Sequence, residues 1–436
     1  MKKPIEPEKT LHQALSGIQS SPSANPEPKQ SLCEDEFVPA YQLVTQLVSQ
    51  AHEYGTSFVR LKDFMSQLPQ LFGFHGAMLI ASPFFFFEFW RQGDPQPTRV
   101  TVQQSTGSFD LAKLSELGIL VNDLTAGKVT VDEGTSRLEE IDSESPPYSQ
   151  AMVALGYAIC GAGFAVLLSA TWRDVLFAAL LSLVVYAITV TAGRSQWLAN
   201  RLNFTAAFTA SILANLLALL FPGSDAFTVS LCAVIVLVPG LALTLGTGEL
   251  ASKIILPGIA RLIDAILVTF ALVVGNALGA SLVNALWTLP PPDAALDRPV
   301  WITFLAVILL MLGLVFVFEV RRADIGWVIL GGGIAYVGML IGNQFGNWQG
   351  SFLGALLLGL YTSFFNSRLQ RPGSVVMLPG IMILVPGVAA YFGLNTLQTS
   401  GIIGALPAVW GVLIQIIAIL GGLFIAASVL PQKASL

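Results

Sequence analysis

The sequence predicts an α-helical membrane protein: ten transmembrane helices in two five-helix inverted repeats with broken helices, plus a small N-terminal α/β cytoplasmic domain. Three observations predict it. Of 436 residues, 54% are hydrophobic and only 11% charged, with a mean hydropathy of +0.70, whereas a soluble protein carries about 25% charged residues. Charge is segregated, with most of the Asp, Glu and Lys before residue 149 and long uncharged runs after it. The third observation is a repeat. Leu-Val-Pro-Gly occurs at 237–240 and again at 384–387, each time inside an apolar stretch.

Residues 1–36 are rich in Pro, Ser, Glu and Lys and lack periodic apolar positions, so a disordered tail is expected. The opening MKKPIEPEKTLHQALSG lacks the apolar core of a cleavable signal peptide. Residues 37–148 form the soluble domain. YQLVTQLVSQAHEYG and SFVRLKDFMSQLPQLFG have helical spacing, with Val44, Leu47, Val48 and Ala51 on one face. GAMLIAS, FFFFEFW and TRVTVQQ predict three short strands. Phe84–Phe87 is too short to cross a bilayer and is assigned to a buried strand. LAKLSELGILVNDLTAG and VDEGTSRLEEID predict two more helices, each behind an Asp or Thr suited to cap it.

From residue 149 onward ten apolar stretches are each long enough to cross ~30 Å of hydrocarbon. They lie near 151–170, 174–192, 204–221, 226–247, 262–284, 300–319, 326–342, 349–365, 374–394 and 406–430. Five belong to a first repeat, 149–285, and five to a second, 299–430. With the soluble domain in the cytoplasm, inner segments hold Arg194, Arg201, Lys253, Arg261, Arg321, Arg322, Arg368, Arg371 and Lys433, and outer ones only Arg173 and Arg298. This bias predicts a multi-pass protein of the cell (inner) membrane with both termini inside.

Val229–Gly246 and Val376–Gly393 align without gaps, and eight of the eighteen pairs are identical. Proline inside a helix removes a backbone hydrogen bond and costs about 3 kcal/mol, so two identical breaks at matching positions ask for a reason. One break is in the fourth span and the other in the ninth, both near mid-depth. With five spans per half, the second half begins on the opposite side, giving an inverted repeat. In such transporters, solute and ion sites form where half-helix ends expose amides and carbonyls.

These residues carry a family resemblance. VPGLALTLGTGELASKIILPGIARLIDAI resembles the threonine/serine exporter family, with its Val-Pro-Gly, Thr, acid and Ala-Arg-Leu ahead of a second acid, here Pro239, Gly240, Thr244, Glu249, Arg261 and Asp264. SRLQRPGSVVMLPGIMILVPGVAAYFG is similar to the family's second conserved region. The resemblance covers about residues 37–430. It departs where the family tends to have Gly-Ala-Glu and this chain has Gly55-Thr56-Ser57, and at Leu256-Pro257. It implies secondary export of threonine and serine, driven most simply by protons.

A hydroxylated zwitterion needs amides for its carboxylate, carbonyls or an acid for its ammonium, and a hydroxyl partner. The breaks at Pro239-Gly240 and Pro386-Gly387 are expected to offer the first two, and Thr244 the third, unless its hydroxyl bonds back to its own helix. Glu249 and Asp264 are the candidate proton carriers. The alternative is a structural ion cluster with Lys253 and Arg261. Asp174, Asp225, Glu319 and Asp324 are expected to be solvated at loop ends, and Asn215, Asn276, Asn343, Gln344 and Gln415 to join helices by hydrogen bonds.

Several classes are excluded. A net charge of −5 and the lack of a basic stripe argue against nucleic acid. Cys33, Cys160 and Cys232 form neither a disulfide framework nor a metal spacing, and no cofactor or metal is expected. The soluble domain holds only His52 and His75, with no GxSxG or P-loop motif. It is read as regulatory or gating, not enzymatic, and its Asp132–Glu144 stretch as a solvated face. The expected partners are the bilayer, a small amino acid and a coupling proton, with a homo-oligomer left open. Export of another small carboxylate, such as a dicarboxylate, is the alternative on the same scaffold, and a membrane-bound hydrolase a distant third.

Overall fold

The computed structural model describes residues 34–81, 84–94, 96–103, 109–384 and 386–430. The expected tail up to residue 33, with Cys33, lies outside the described residues, as does Lys433.

The N-terminal part follows the order read from its periodicity. Helices α1 (Glu34–Glu53) and α2 (Phe58–Leu71) precede strands β1 (His75–Ala81), β2 (Phe84–Trp90) and β3 (Thr98–Gln103), then α3 (Leu111–Thr125) and α4 (Val131–Ser143). The strands form one antiparallel meander in the order β1-β2-β3. The Phe run is buried on one face only. Phe85, Phe87 and Phe89 are in the core while Phe84 and Phe86 are exposed, the alternation a pleated strand imposes. Asp110 caps α3 by accepting from the Lys113 amide at 3.0 Å, and Thr130 with Glu133 forms a reciprocal capping box on α4.

The apolar part is helical throughout: α5 (Gln150–Leu167), α6 (Trp172–Ala192), α7 (Gln196–Ala199), α8 (Leu202–Leu220), α9 (Ala226–Ala233), α10 (Gly240–Ala251), α11 (Ile255–Asn284), α12 (Val300–Val317), α13 (Ile325–Asn343), α14 (Asn347–Leu369), α15 (Ser374–Leu384) and α16 (Pro386–Val429). Among the described residues, seven helices are long and apolar enough to cross a membrane, or eight with the bent pair that contains α9 and α10.

Two backbone features recur. After α5 the chain turns through Ser169 at φ 58°, with the Ala170 amide donating to Ala165 O at 3.0 Å. After α12, 150 residues later, it turns through Glu319 at φ 51°, with the Val320 amide donating to Val315 O at 2.9 Å. Both are helix ends closed by a left-handed residue. Helices α5 and α12 also pack on each other through small residues. Gly156 lies against Gly313 and Phe316, and Gly163 against Ala306 and Leu310. Rising numbers on one helix meet falling numbers on the other, so the pair is antiparallel.

Asp174 and Asp324, expected to be solvated, are buried at 1% and 0% exposure. Asp174 accepts from the Thr171 hydroxyl at 2.7 Å. Asp324 pairs with Arg371 and accepts from the Ser115 hydroxyl of α3 at 3.1 Å. The reason is packing: the N-terminal domain and the preceding turn cover positions that a linear reading leaves at a loop end.

Candidate functional site

Helix α9 ends at Ala233, a single 3₁₀ turn spans Ile235–Leu237, and α10 begins at Gly240 behind Pro239. The two apolar pieces meet at a bend of 55°. The chain is extended at Val238 (ψ 122°), and the Gly240 amide turns back to Val238 O at 2.9 Å. The next two amides of α10, those of Leu241 and Ala242, have no carbonyl partner in a preceding turn among the described residues, as at any helix start. The break therefore frees backbone polar groups within an apolar span. Thr244, one turn into α10, is buried, and its hydroxyl donates to Gly240 O at 3.2 Å. Its lone pairs remain available for a donor.

The matching place in the second Leu-Val-Pro-Gly is helical on both sides, with α15 reaching Leu384 and α16 running from Pro386; Val385, where the second break is expected, lies outside the described residues. The carbonyl of Leu384 is satisfied from another helix, by the Gln415 side-chain amide at 3.2 Å. That is the bridging role expected of Gln415. Tyr391, which corresponds to Thr244 in the repeat, is 1% exposed and lies 6.0 Å from Phe227 of α9. Its hydroxyl has no partner among the described residues. A buried Tyr hydroxyl against α9 escapes a reading based on charge, although its place in the alignment with Thr244 marks it.

Of the four residues named for ion coupling, two come together. Glu249 of α10 is fully buried and paired with Arg261 of α11 through two contacts of 3.1 Å, Nε to Oε2 and Nη2 to Oε1. Lys253 and Asp264 are exposed and make no ion pair among the described residues. The pair is covered by the N-terminal domain. The Arg261 guanidinium lies 5.3 Å above the Phe58 ring, and that ring stacks on His52 at 4.4 Å. The Phe58 amide, at the start of α2, faces the Glu249 carboxylate, where a helix N-terminus favours negative charge.

The same domain grips the second half. The amides of Leu111 and Ala112 donate to Phe318 O and Glu319 O, both at 3.0 Å, and Glu116 pairs with Arg321 at 3.0 Å. The Arg60 guanidinium reaches the Ser374 hydroxyl at 3.2 Å. The domain is thus seated on the Glu249–Arg261 pair, on the turn after α12 and on the start of α15.

Comparison with known proteins decides the kinship. The family model described as "Putative threonine/serine exporter" matches residues 43–283, and one described as "Threonine/Serine exporter, ThrE" matches residues 303–429. The chain belongs to the threonine/serine exporter family. Relatives in this family include a "Probable threonine/serine exporter" of Mycobacterium tuberculosis, 27% identical over 72% of this chain and 62% of its own length. A "Threonine/serine exporter" of Corynebacterium glutamicum is 26% identical over 70% of this chain and 65% of its own. A "Pheromone-regulated membrane protein 10" of Eremothecium gossypii is 21% identical over 81% of this chain and 49% of its own. The chain thus spans less than two thirds of the length of these curated relatives. No solved structure matches. Both Leu-Val-Pro-Gly motifs and the Glu249–Arg261 pair fall inside the matched segments.

Proposed function

We propose that the chain is a secondary exporter of threonine and serine, driven by the proton gradient, with its solute bound between the Pro239-Gly240 and Pro386-Gly387 breaks. The observation that carries this reading is the 55° break in an apolar span of a threonine/serine exporter family member. Backbone groups freed there offer a zwitterion what water otherwise supplies. The ten-span, two-repeat layout belongs to the same proposal. Matched left-handed helix ends at Ser169 and Glu319 support it, as does the antiparallel α5–α12 pair, whose glycine contacts exchange under a two-fold rotation.

In this reading the N-terminal domain lies in the cytoplasm and gates the inner end. Glu249 carries the proton. Neutralising it releases Arg261 and loosens the Phe58 cover, so that protonation and opening are coupled. Proteoliposomes test the whole: labelled threonine should accumulate against its gradient when protons are supplied on the opposite side. No threonine flux alongside flux of a dicarboxylate would sink the substrate assignment. Glu249→Gln should abolish gradient-driven accumulation and leave threonine–threonine exchange. Undiminished accumulation in that variant would remove Glu249 from the proton path.

A further inference from the structure

Beside α9, on the side of the break away from the N-terminal domain, lies a cavity of about 250 Å³. It is just below the ~300–1,000 Å³ range of drug-sized sites, which suits a smaller solute. Its polar lining comes from three helices and one turn: Ser211 and Asn215 of α8, Ser224 and Asp225 before α9, Ser230 of α9, and Asn276 and Asn284 of α11. We propose that this cavity binds a small primary ammonium compound carrying a hydroxyl, as the far-side subsite of the transport path. The link to a path rests on the exporter reading; the ammonium chemistry rests on the cavity alone.

Four of the lining groups are already committed. The Ser211 hydroxyl donates to Asn276 O at 2.7 Å, and the Asn215 amide nitrogen to Ser211 O at 2.7 Å. The Ser230 hydroxyl donates to Phe227 O at 2.9 Å, and Asp225 caps α9 through the Phe227 and Thr228 amides. Two groups are not. Asn276 Oδ1 and Ser224 Oγ have no partner among the described residues, although Asn276 is 6% and Ser224 3% exposed. A buried acceptor without a donor is costly, and it persists where a ligand supplies the donor.

The charge pattern selects the ligand. Asp225 is the one charged residue of the lining, and no Lys or Arg is in it. A solute with only a carboxylate would face Asp225 without a counterion, whereas an ammonium finds Asp225 and the Asn276 carbonyl, and a hydroxyl finds Ser224. The cation beside the connection after α11 is spoken for: Arg173 pairs with Asp293 at 3.1 Å. The Asp293 amide donates to Gly223 O at 2.8 Å, which fastens the connection after α11 across the mouth, where Pro290 and Pro292 complete the wall. At Gly223 (φ +93°) any Cβ would strike the Asp293 carboxylate at 2.5 Å, so only glycine permits this closure.

Ala280 lines the cavity without a polar role, and the described native cysteines, Cys160 and Cys232, are buried. Ala280→Cys in the full chain should therefore be labelled by a membrane-impermeant maleimide from the face opposite the N-terminal domain. L-threonine or L-threoninol at ten times its Kd should slow that labelling about tenfold, and lactate should not. Adding Asn276→Leu should keep the labelling and remove the protection. Absence of labelling, labelling that neither amine slows, or equal protection by lactate would each overturn the proposal. Protection by the amines in a chain that moves no threonine would uphold the cavity and end the exporter reading. Threonine transport without protection would do the reverse.

Discussion

Arg261 and three other side chains form one column: Glu249 paired with it, the Phe58 ring at 5.3 Å, and His52 stacked on that ring. His52 is in the N-terminal domain, and burial pushes its pKa down from 6.5 to about 4, with the Arg261 cation adding to the shift. A depressed histidine pKa means that between pH 6.5 and 4 the unfolded chain takes up a proton that the native chain refuses. The stabilisation is complete above pH 6.5, falls as pH drops toward 4, and is flat below. Its size is on the order of 2 kcal/mol once the partial exposure of His52 is allowed for. Melting temperatures in detergent should fall between pH 7.5 and 5 in the wild type and fall less in His52→Gln. Equal falls would mean that His52 is not the group that titrates. The sequence shows His52 as one of two histidines of the soluble domain, without metal spacing. That Arg261, more than 200 residues away, is its neighbour depends on how the domain docks.

At the level of elements, the break in the α9–α10 span is readable because proline acts locally. It lacks an amide and clashes with the preceding turn wherever it stands. Pro239→Ala restores the donor and lets α10 extend backward into the 3₁₀ turn. Transport should fall at least about tenfold while the melting temperature holds or rises, since an interior proline costs roughly 3 kcal/mol relative to alanine. Full transport in a stable Pro239→Ala protein would show that the break is only a kink. The caps at Asp110 and Thr130 and the three strands are readable for the same reason, each being fixed by neighbours in sequence. Asp174 and Asp324 are not. Each stands where a loop passes into a helix, and Asp324 owes its burial to Ser115, 209 residues earlier, and to Arg371. Tyr391 is hidden likewise, its environment set by Phe227 of a distant helix.

Across the whole molecule, α5 and α12 bring together segments about 150 residues apart, and the contact is made through glycines because the backbones approach closely. Gly163 and Gly313 are 150 residues apart and occupy corresponding places on the two helices, yet the space beside them differs. A Cβ at Gly313 would meet Cys160 Sγ at 2.8 Å and Gly156 O at 2.9 Å, whereas one at Gly163 would meet Leu310 Cβ at 3.2 Å and Ala306 O at 3.3 Å. Overpacking a tight contact costs about 1–3 kcal/mol. Gly313→Ala should therefore lower the melting temperature clearly, and Gly163→Ala only slightly, because its neighbours need move by tenths of an ångström. The two halves also hold different cover: the N-terminal domain binds the 318–324 turn directly beyond α12, through the Leu111 and Ala112 amides. Displacing α12 at Gly313 thus disturbs the seat of the N-terminal domain as well as the core. Gly313→Ala should slow threonine counterflow more than its stability loss alone explains, measured below the melting transition at equal amounts of folded protein. Equal flux per folded molecule in both variants would separate the α5–α12 contact from gating.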